Sequence, residues 1–200
     1  HILAPRSSQH TVSLLALRGD KYIRCNMIIN VDLPLSKDVA SQLKAGDTVY
    51  LSGSMYVFRD AGHKRLFASI EAGKPDIDYA GETIYFMGPC PALQGQVLGS
   101  CGPTTSCRMD KYTPYMFDTG LAAQIGKGKR DKASIDAIAR SGGVYFAAIG
   151  GAGAIYSKCV TDVQVIAYED LGTEAIRRIT VKDFPVIVAV DSTGKDIYSR

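Results

Sequence analysis

Apolar and polar residues alternate along several short stretches of the chain, as they do in a half-buried strand. In the stretch 47–58, DTVYLSGSMYVF, the residues Val49, Leu51, Met55 and Val57 fall on one side, so we predict a strand there. Other apolar stretches predict strands over 82–88, 95–98 (short and edge-like), 122–129, 144–149, 162–168 and 185–198, the last bent at the turn from Asp191 to Gly194.

Elsewhere the apolar residues recur three and four positions apart, which is the spacing of one helix face. In the stretch 36–46, SKDVASQLKAG, the residues Val39, Ala40 and Leu43 share a face, Ser36 precedes them as a cap and a glycine ends the stretch. Further helices are predicted over 63–73, from about Thr105 to Phe117 with a disturbance at Pro114, over 134–143 and over 151–160.

Strands and helices alternate in the second half of the chain and are mixed in the first half. This order predicts the α/β class with a mixed, partly parallel sheet. Two hundred residues suit one domain. We expect the folded domain over 27–200 and interpret residues 1–26 as an extension, derived from expression or from a leader region.

Charge is distributed unevenly between these two parts. Residues 1–26 hold four basic residues and one acidic residue, and the totals for the chain are 23 and 20, which leaves 19 of each in the remainder. A balanced domain lacks the clustered positive charge that a nucleic-acid surface needs. No apolar run reaches the roughly 20 residues of a membrane span. We therefore expect neither nucleic acid nor membrane as a partner.

The chain has five cysteines, Cys25, Cys90, Cys101, Cys107 and Cys159, and three histidines. No cysteine pair has C-x-x-C spacing, and the histidines are too few for a usual zinc site. Cys101 and Cys107 lie on either side of Thr104 and could have a metal or redox role. We favour the alternative that they are buried free thiols. We expect no metal ligands in this chain and a reducing, cytoplasmic setting.

The stretch 101–110, CGPTTSCRMD, combines hydroxyl side chains with a fixed positive charge. Thr104, Thr105 or Ser106 is suited to cap a following helix, and free N–H groups at a helix start attract anions. Arg108 adds a planar fork that matches a carboxylate or phosphate. Two interpretations stay open, a plain helix cap beside a surface arginine and an anion site.

Two further stretches carry polar groups at expected strand ends. RDAGHKR, 59–65, places Arg59 after a strand and His63 at the predicted start of a helix, where its pKa would be lowered. GKGKR, 126–130, places Lys127 between glycines after a buried strand. Each stretch alone is more often structural. Together they predict three cations around a hydroxyl, which suits a small dicarboxylate.

With these three motifs in this order, the chain resembles the β subunit of class I iron–sulfur fumarate hydratases and the similar β subunit of L(+)-tartrate dehydratase. The resemblance covers about residues 28 to 200. It implies a three-layer swivelling β/β/α domain and the reversible hydration of fumarate to (S)-malate. It also implies a [4Fe–4S] cluster held by a separate α subunit, so this chain would be one part of an enzyme.

The resemblance also implies roles for individual residues. Thr104 matches the catalytic base and Arg108 the arginine that binds a substrate carboxylate, while Arg59 and Lys127 match further substrate-binding cations. His63 matches a histidine that competes with Thr104 for the acid/base role. Thr105 is expected among the substrate-binding residues.

Three functions therefore remain open at this level: the hydration of fumarate, which we favour, the dehydration of L(+)-tartrate, and binding of a dicarboxylate without catalysis. The two possible substrates are both four-carbon dicarboxylates, so the sequence separates them poorly.

Overall fold

The structure is a computed structural model that describes residues 28–199. The predicted extension 1–26 lies outside the described residues, so its boundary stays a prediction. In this described part of the chain, seven strands form one sheet: β1 (Ile28–Asp32), β2 (Thr48–Val57), β3 (Thr83–Tyr85), β4 (Ala123–Gly126), β5 (Val144–Ala147), β6 (Val160–Ala167) and β7 (Ile176–Val190).

Within residues 28–199, five α-helices and two short 3-10 helices connect these strands. No helix of the described residues is long and apolar enough to cross a membrane. The helices are α1 (Lys37–Gln42), α2 (Asp60–Glu71), α3 (Thr113–Asp118), α4 (Lys132–Ser141) and α5 (Gly153–Cys159), and the 3-10 helices are Ser106–Met109 and Glu169–Glu174.

The sheet is mixed, with the strand order β1-β2-β3-β4-β5-β7-β6. Strands β1 to β5 run parallel to their neighbours, whereas β7 is antiparallel to β5 and to β6. Strand β7 also pairs with β2, so the hydrogen bonds from β2 through β5 and back along β7 form a closed ring. The predicted α/β class with a mixed, partly parallel sheet is confirmed.

Alternation along the strands sends side chains into two separate cores. Val57 and Tyr85 belong to the cluster enclosed by the ring, which α1 and α5 complete. Their neighbours Phe58, Ile84 and Phe86 point the other way, into a cluster covered by α2, α3 and α4. The domain therefore has three layers. The two sides of the closed ring form two β layers, and α2, α3 and α4 form a helical layer on one side of the ring.

Several predicted boundaries are confirmed by their caps. The Ser36 hydroxyl accepts the Val39 N–H at 3.3 Å at the start of α1. The start of α4 differs from the prediction: the helix begins at Lys132, two residues before Ser134, and the Asp131 carboxylate caps it by accepting the Ser134 N–H at 2.7 Å. That helix ends at Gly142, whose φ of 71° is left-handed, as a glycine C-cap requires.

Two predicted elements are wrong, and the strand predicted over 185–198 has other bounds, because β7 runs from Ile176 to Val190. The stretch from Gly95 to Leu98 is not a strand, because Gly95 has a φ of 82° and the Gln96 N–H turns back to the Leu93 carbonyl. The single helix from Thr105 to Phe117 is also wrong. A 3-10 helix and α3 replace it, and Pro114 lies at the start of α3 instead of disturbing a helix interior.

Helix α2 begins at Asp60, three residues before the predicted start. His63 therefore lies one turn inside the helix, and its side chain is fully buried. The prediction that His63 opens a helix is wrong. A position at the helix start therefore cannot be the cause of a lowered pKa of His63.

Candidate active site

The carboxyl ends of four parallel strands meet at one edge of the sheet. Arg59 follows β2, Gly88 follows β3, Lys127 follows β4 and Gly150 follows β5. Ligands of α/β proteins usually bind beyond the carboxyl ends of the parallel strands. The positions predicted on separate motifs are thus brought to one side of the domain.

The chain segment from Thr104 to Ser106 lies at this edge, beside the ends of β3 and β4. The Thr104 N–H donates to the Phe86 carbonyl at 2.7 Å, and the Lys127 N–H donates to the Thr104 carbonyl at 3.2 Å. The Ser106 N–H donates to the Lys127 carbonyl at 2.9 Å, and Thr105 forms a parallel bridge with Lys127. Thr104 and Thr105 are therefore direct neighbours of Lys127.

These bonds overturn the helix-cap interpretation of the segment. Thr105 occupies the N-cap position of the 3-10 helix, and its side chain makes no capping hydrogen bond. The N–H groups of Thr104 and Ser106 are already bound to carbonyl oxygens and are not available to an anion.

Glycines let this segment approach the strand. A Cβ atom on Gly126 would lie 2.0 Å from the Ser106 hydroxyl oxygen, so no larger residue fits there. The same hydroxyl lies 2.9 Å from the Tyr145 hydroxyl. Gly126 is therefore needed for close packing against Ser106, whereas the sequence predicted a close approach of the backbone to a ligand at this turn.

Lys127 extends along the end of β5. A Cβ atom built on Gly150 would lie 3.6 Å from its Cδ and 3.8 Å from its Nζ. Lys127 joins no ion pair within residues 28–199. Its ammonium group is therefore a charge that no described carboxylate neutralises.

Arg59 is held between two partners. Its Nε lies 3.2 Å from Glu174 Oε1, an ion pair without hydrogen-bond alignment, and this Nε has no hydrogen-bond partner among the described residues. A Cβ atom on Gly88 would lie 2.8 Å from the same Nε. Glu174 also accepts the Ala61 N–H at 2.6 Å, which ties the start of α2 to the same carboxylate.

Arg108 forms a bidentate ion pair with Asp60. Its Nε donates to Asp60 Oδ1 at 2.9 Å, and its second nitrogen donates to the other carboxylate oxygen. Half of the Arg108 side chain is exposed. Arg59 and Asp60 are consecutive residues, so the ion pair places Arg108 next to the Arg59 turn.

His63 is enclosed by aromatic rings. Ring centroids of Phe58, Phe86 and Tyr112 lie 4.4, 5.4 and 5.4 Å from its own. Its Nδ1 lies 2.9 Å from the Arg59 carbonyl oxygen, and its Nε2 has no partner within the described part of the chain. Burial lowers the pKa of His63 from 6.5 to about 4, so the imidazole is neutral at pH 7.

The sequence analysis missed a buried ionic network under the 3-10 helix. The fully buried Arg130 donates to Asp110 Oδ1 at 2.6 Å, to the Thr113 hydroxyl at 2.6 Å and to Gln124 Oε1 at 2.8 Å. Asp110 directly follows the 3-10 helix that carries Arg108, and Arg130 lies three residues after Lys127. The network therefore connects the Arg108 helix to the turn that carries Lys127. Two features of the sequence could have indicated this network: Arg130 ends the GKGKR stretch, and Asp110 lies two residues after Arg108.

Glu174, Gly88 and Gly150 had no signal in the sequence as site residues. Each lies in a stretch without a motif and reaches the site only through the fold. Asp60 was visible beside Arg59, but its pairing with Arg108 joins residues that are far apart in the chain.

The described residues do not fit an iron–sulfur cluster. Such a cluster needs several thiolates at one place. Cys101 is buried, which raises its pKa to about 12, whereas Cys90 and Cys107 are exposed. Within residues 28–199, no group of three or more histidine, cysteine, aspartate or glutamate side chains could hold a metal ion.

Comparison with known proteins identifies the family. The family described as Fumarase C-terminus matches residues 7–200. The chain is 37% identical to fumarate hydratase 2 of Leishmania major and 35% identical to the anaerobic class I fumarate hydratase of Escherichia coli, over 86% of this chain in each case. These alignments cover 32% and 33% of the two relatives, so the chain spans about one third of their length.

A shorter relative matches over most of its own length. The chain is 36% identical to a protein of Methanocaldococcus jannaschii named as an L(+)-tartrate dehydratase subunit beta, over 83% of this chain and 89% of that protein. The resemblance inferred from the three motifs is confirmed. The chain belongs to the Fumarase C-terminus family.

Proposed function

We propose that this chain is the β-type part of a hydro-lyase that reversibly hydrates fumarate to (S)-malate. It would act with an α-type polypeptide that holds a [4Fe–4S] cluster. Membership of the Fumarase C-terminus family and the names of the similar proteins support this proposal. The single structural observation that carries it is that the segments bearing Arg59, Lys127 and Thr104, with Arg108 paired to Asp60, lie at the carboxyl edge of the sheet.

The positive charges suit a substrate with two carboxylates. Lys127, at the end of β4, adjoins Thr104 and Thr105 through backbone contacts. Arg59 follows β2, which β3 separates from β4, and Arg108 pairs with the next residue, Asp60. The two arginines already pair with Glu174 and Asp60. A guanidinium has five N–H donors, so a chain carboxylate leaves donors for a substrate carboxylate.

The reaction needs a base close to these cations. In the dehydration direction a proton leaves the carbon next to a carboxylate, and negative charge builds on that carboxylate. Preorganised cations stabilise this charge, which is the role that we propose for Arg59, Arg108 and Lys127. The base is Thr104 or His63. A threonine hydroxyl is weakly acidic, so Thr104 needs cationic side chains at this edge, such as Lys127, to stabilise its alkoxide.

A second candidate is the dehydration of L(+)-tartrate. The relative that this chain matches over 89% of its length carries that name. Both substrates present two carboxylates on four carbons, and the same three cations would bind either one. The additional hydroxyl group of tartrate is the feature that an assay must separate.

The test is reconstitution with the α-type polypeptide. The two chains would be co-expressed and purified without oxygen, and fumarate loss would be followed by its absorbance, with L(+)-tartrate in a parallel assay. We expect fumarate hydration above that of the α-type chain alone. No gain with either substrate would contradict the proposal and would favour dicarboxylate binding without catalysis, which titration of the chain with fumarate would detect.

A further inference from the structure

His63 donates two hydrogen bonds to one oxygen atom. Its backbone N–H lies 2.8 Å from the Arg59 carbonyl oxygen, and its ring Nδ1 lies 2.9 Å from the same oxygen. A carbonyl oxygen only accepts hydrogen bonds, so the proton of the neutral ring is on Nδ1. The first bond is the ordinary one of a helix, and the second is specific to the histidine side chain.

The oxygen that receives these bonds belongs to the peptide unit between Arg59 and Asp60. Arg59 has φ −140° and ψ −142°, and no side chain caps the helix through it. The chain changes from strand to helix at this residue. A second donor on the carbonyl therefore restricts how that peptide unit can rotate.

Two parts of the proposed site depend on the orientation of this peptide unit. On one side of it, Arg59 lies against Gly88 and pairs with Glu174. On the other side, Asp60 forms the bidentate pair with Arg108. A rotation of the peptide unit would displace both cations together.

The other ring nitrogen faces a closed environment. His63 is fully buried, and the rings of Phe58, Phe86 and Tyr112 surround it. Asp60 and Arg130 are the charged groups whose fields act on it. A group that exchanges a proton with a substrate must come within hydrogen-bond reach of it, and His63 has no exposed surface.

We infer that His63 is a positioning residue, which holds the Arg59–Asp60 peptide unit so that Arg59 and Arg108 face the substrate, and that His63 itself exchanges no proton with the substrate. The catalytic part of this inference rests on the proposed function. The structural part, the hydrogen bond from Nδ1 to the Arg59 carbonyl, does not.

The first test uses the unmodified chain labelled with 15N. Long-range proton–nitrogen spectra of the imidazole report which ring nitrogen carries the proton. We expect the Nδ1–H form for His63 at pH 7 and no titration between pH 8 and pH 5. An Nε2–H form, or a midpoint near 6.5, would overturn the inference.

The second test compares two amide substitutions in the reconstituted complex. The side-chain nitrogen of H63N takes the place of Nδ1 and keeps a donor to the Arg59 carbonyl, whereas that of H63Q takes the place of Nε2 and does not. We expect the kcat of H63N to stay within about threefold of the unmodified enzyme. For H63Q we expect KM for fumarate to rise roughly 10- to 100-fold, because displaced arginines would lose hydrogen bonds to the charged substrate carboxylates. The exposed neighbour Lys64 supplies a control, K64Q, which should change neither constant.

An acid/base role gives a different result. Both amides would then lower kcat by roughly 100-fold or more, and one limb of the pH profile would vanish. That outcome would overturn the inference. If the complex hydrates no substrate, the proposed function fails, while the ring tautomer measured on the chain alone still decides whether the Arg59 contact exists. If H63N does not fold, the 15N measurement on the unmodified chain still shows whether Nδ1 donates to the Arg59 carbonyl.

Discussion

Lys127 donates its backbone N–H to the carbonyl oxygen of Thr104 at 3.2 Å. The proposed base and one proposed substrate-binding cation are thus linked through the backbone as well as sharing a surface. The link continues from the Ser106 N–H to the Lys127 carbonyl, so the two segments form a short parallel bridge. A backbone link keeps the distance between Thr104 and Lys127 independent of side-chain motion.

The charge of Lys127 can be removed with little change in the size of the side chain. We expect Lys127→Met to lower kcat/KM for fumarate in the reconstituted complex by roughly 100-fold or more, because a preorganised donor that faces developing charge has an effect of that order. No described ion pair is lost, so the free energy of unfolding should change by less than about 0.5 kcal/mol. Lys129→Met, at an exposed position of the same turn, is the matched control. Equal losses in both variants would refute the role of Lys127.

The hydroxyl group of Thr104 can be tested with substitutions of nearly equal size. Thr104→Val keeps the shape and removes the hydroxyl, and we expect kcat to fall by roughly 100- to 10,000-fold. Thr104→Ser keeps the hydroxyl and should retain most of the activity. Steady-state rates for both, with circular dichroism to confirm folding, decide the matter. A valine variant with near-normal kcat would mean that Thr104 is not the base.

Gly88 should matter only through Arg59. A methyl group at Gly88 would lie 2.8 Å from the Arg59 Nε, so Gly88→Ala must displace the guanidinium. We expect a rise in KM for fumarate, by roughly 10-fold or more. In a double-mutant cycle, Gly88→Ala should have no further effect once Arg59 is replaced by alanine. Additive losses would show that Gly88 acts on something else.

The buried network of Arg130 should dominate the stability of this region. Arg130→Met leaves the Asp110 carboxylate buried without its partner, and we expect the free energy of unfolding to fall by about 3 to 5 kcal/mol. The exposed pair of Lys132 and Asp136 on α4 gives the control, since Lys132→Ala should cost less than about 0.5 kcal/mol. Urea unfolding of the chain measures both. Similar costs for the two variants would contradict this account.

Burial of His63 should make stability depend on pH. The unfolded chain binds a proton at this residue below about pH 6.5, whereas the folded chain does so only near its lowered pKa of about 4. The unfolded state therefore holds more protons in this window, and the free energy of unfolding falls as the pH is lowered through it. The total loss is about 3 kcal/mol at the lower end.

Urea unfolding between pH 4 and pH 7.5 measures this effect, with H63N as the reference. The difference between the two proteins should change with pH, because the variant lacks the titrating ring. His1 and His10 lie outside the described residues and are present in both proteins, so their contributions cancel. A difference that is constant across the window would contradict the burial of a neutral ring.

Local pattern was enough wherever the decisive contacts are close in the chain. The alternation of Val49, Leu51, Met55 and Val57 predicts β2 because successive strand residues face opposite sides. The cap of α1 depends on Ser36 and a residue three positions later. The same holds for the residue types of the three motifs, which the sequence presents directly and which indicated the family.

Tertiary structure decided what depends on partners far away in the chain. The sequence 101–110 has the composition of a helix start, yet the Ser106 N–H bonds to the carbonyl of Lys127 and the segment joins a strand end instead. Glu174 reaches Arg59 only because β7 returns along β2 and carries the preceding 3-10 helix to the start of α2.

His63 shows the same division most clearly. Its sequence position predicted a lowered pKa from a helix start, but the structure lowers it by burial among aromatic rings and directs Nδ1 to the Arg59 carbonyl. By itself the sequence determined most of the elements, the family and the set of polar residues at the strand ends. Only the tertiary structure decided which of them touch, because hydrogen bonds and burial at this edge join segments whose separation along the chain leaves no local pattern.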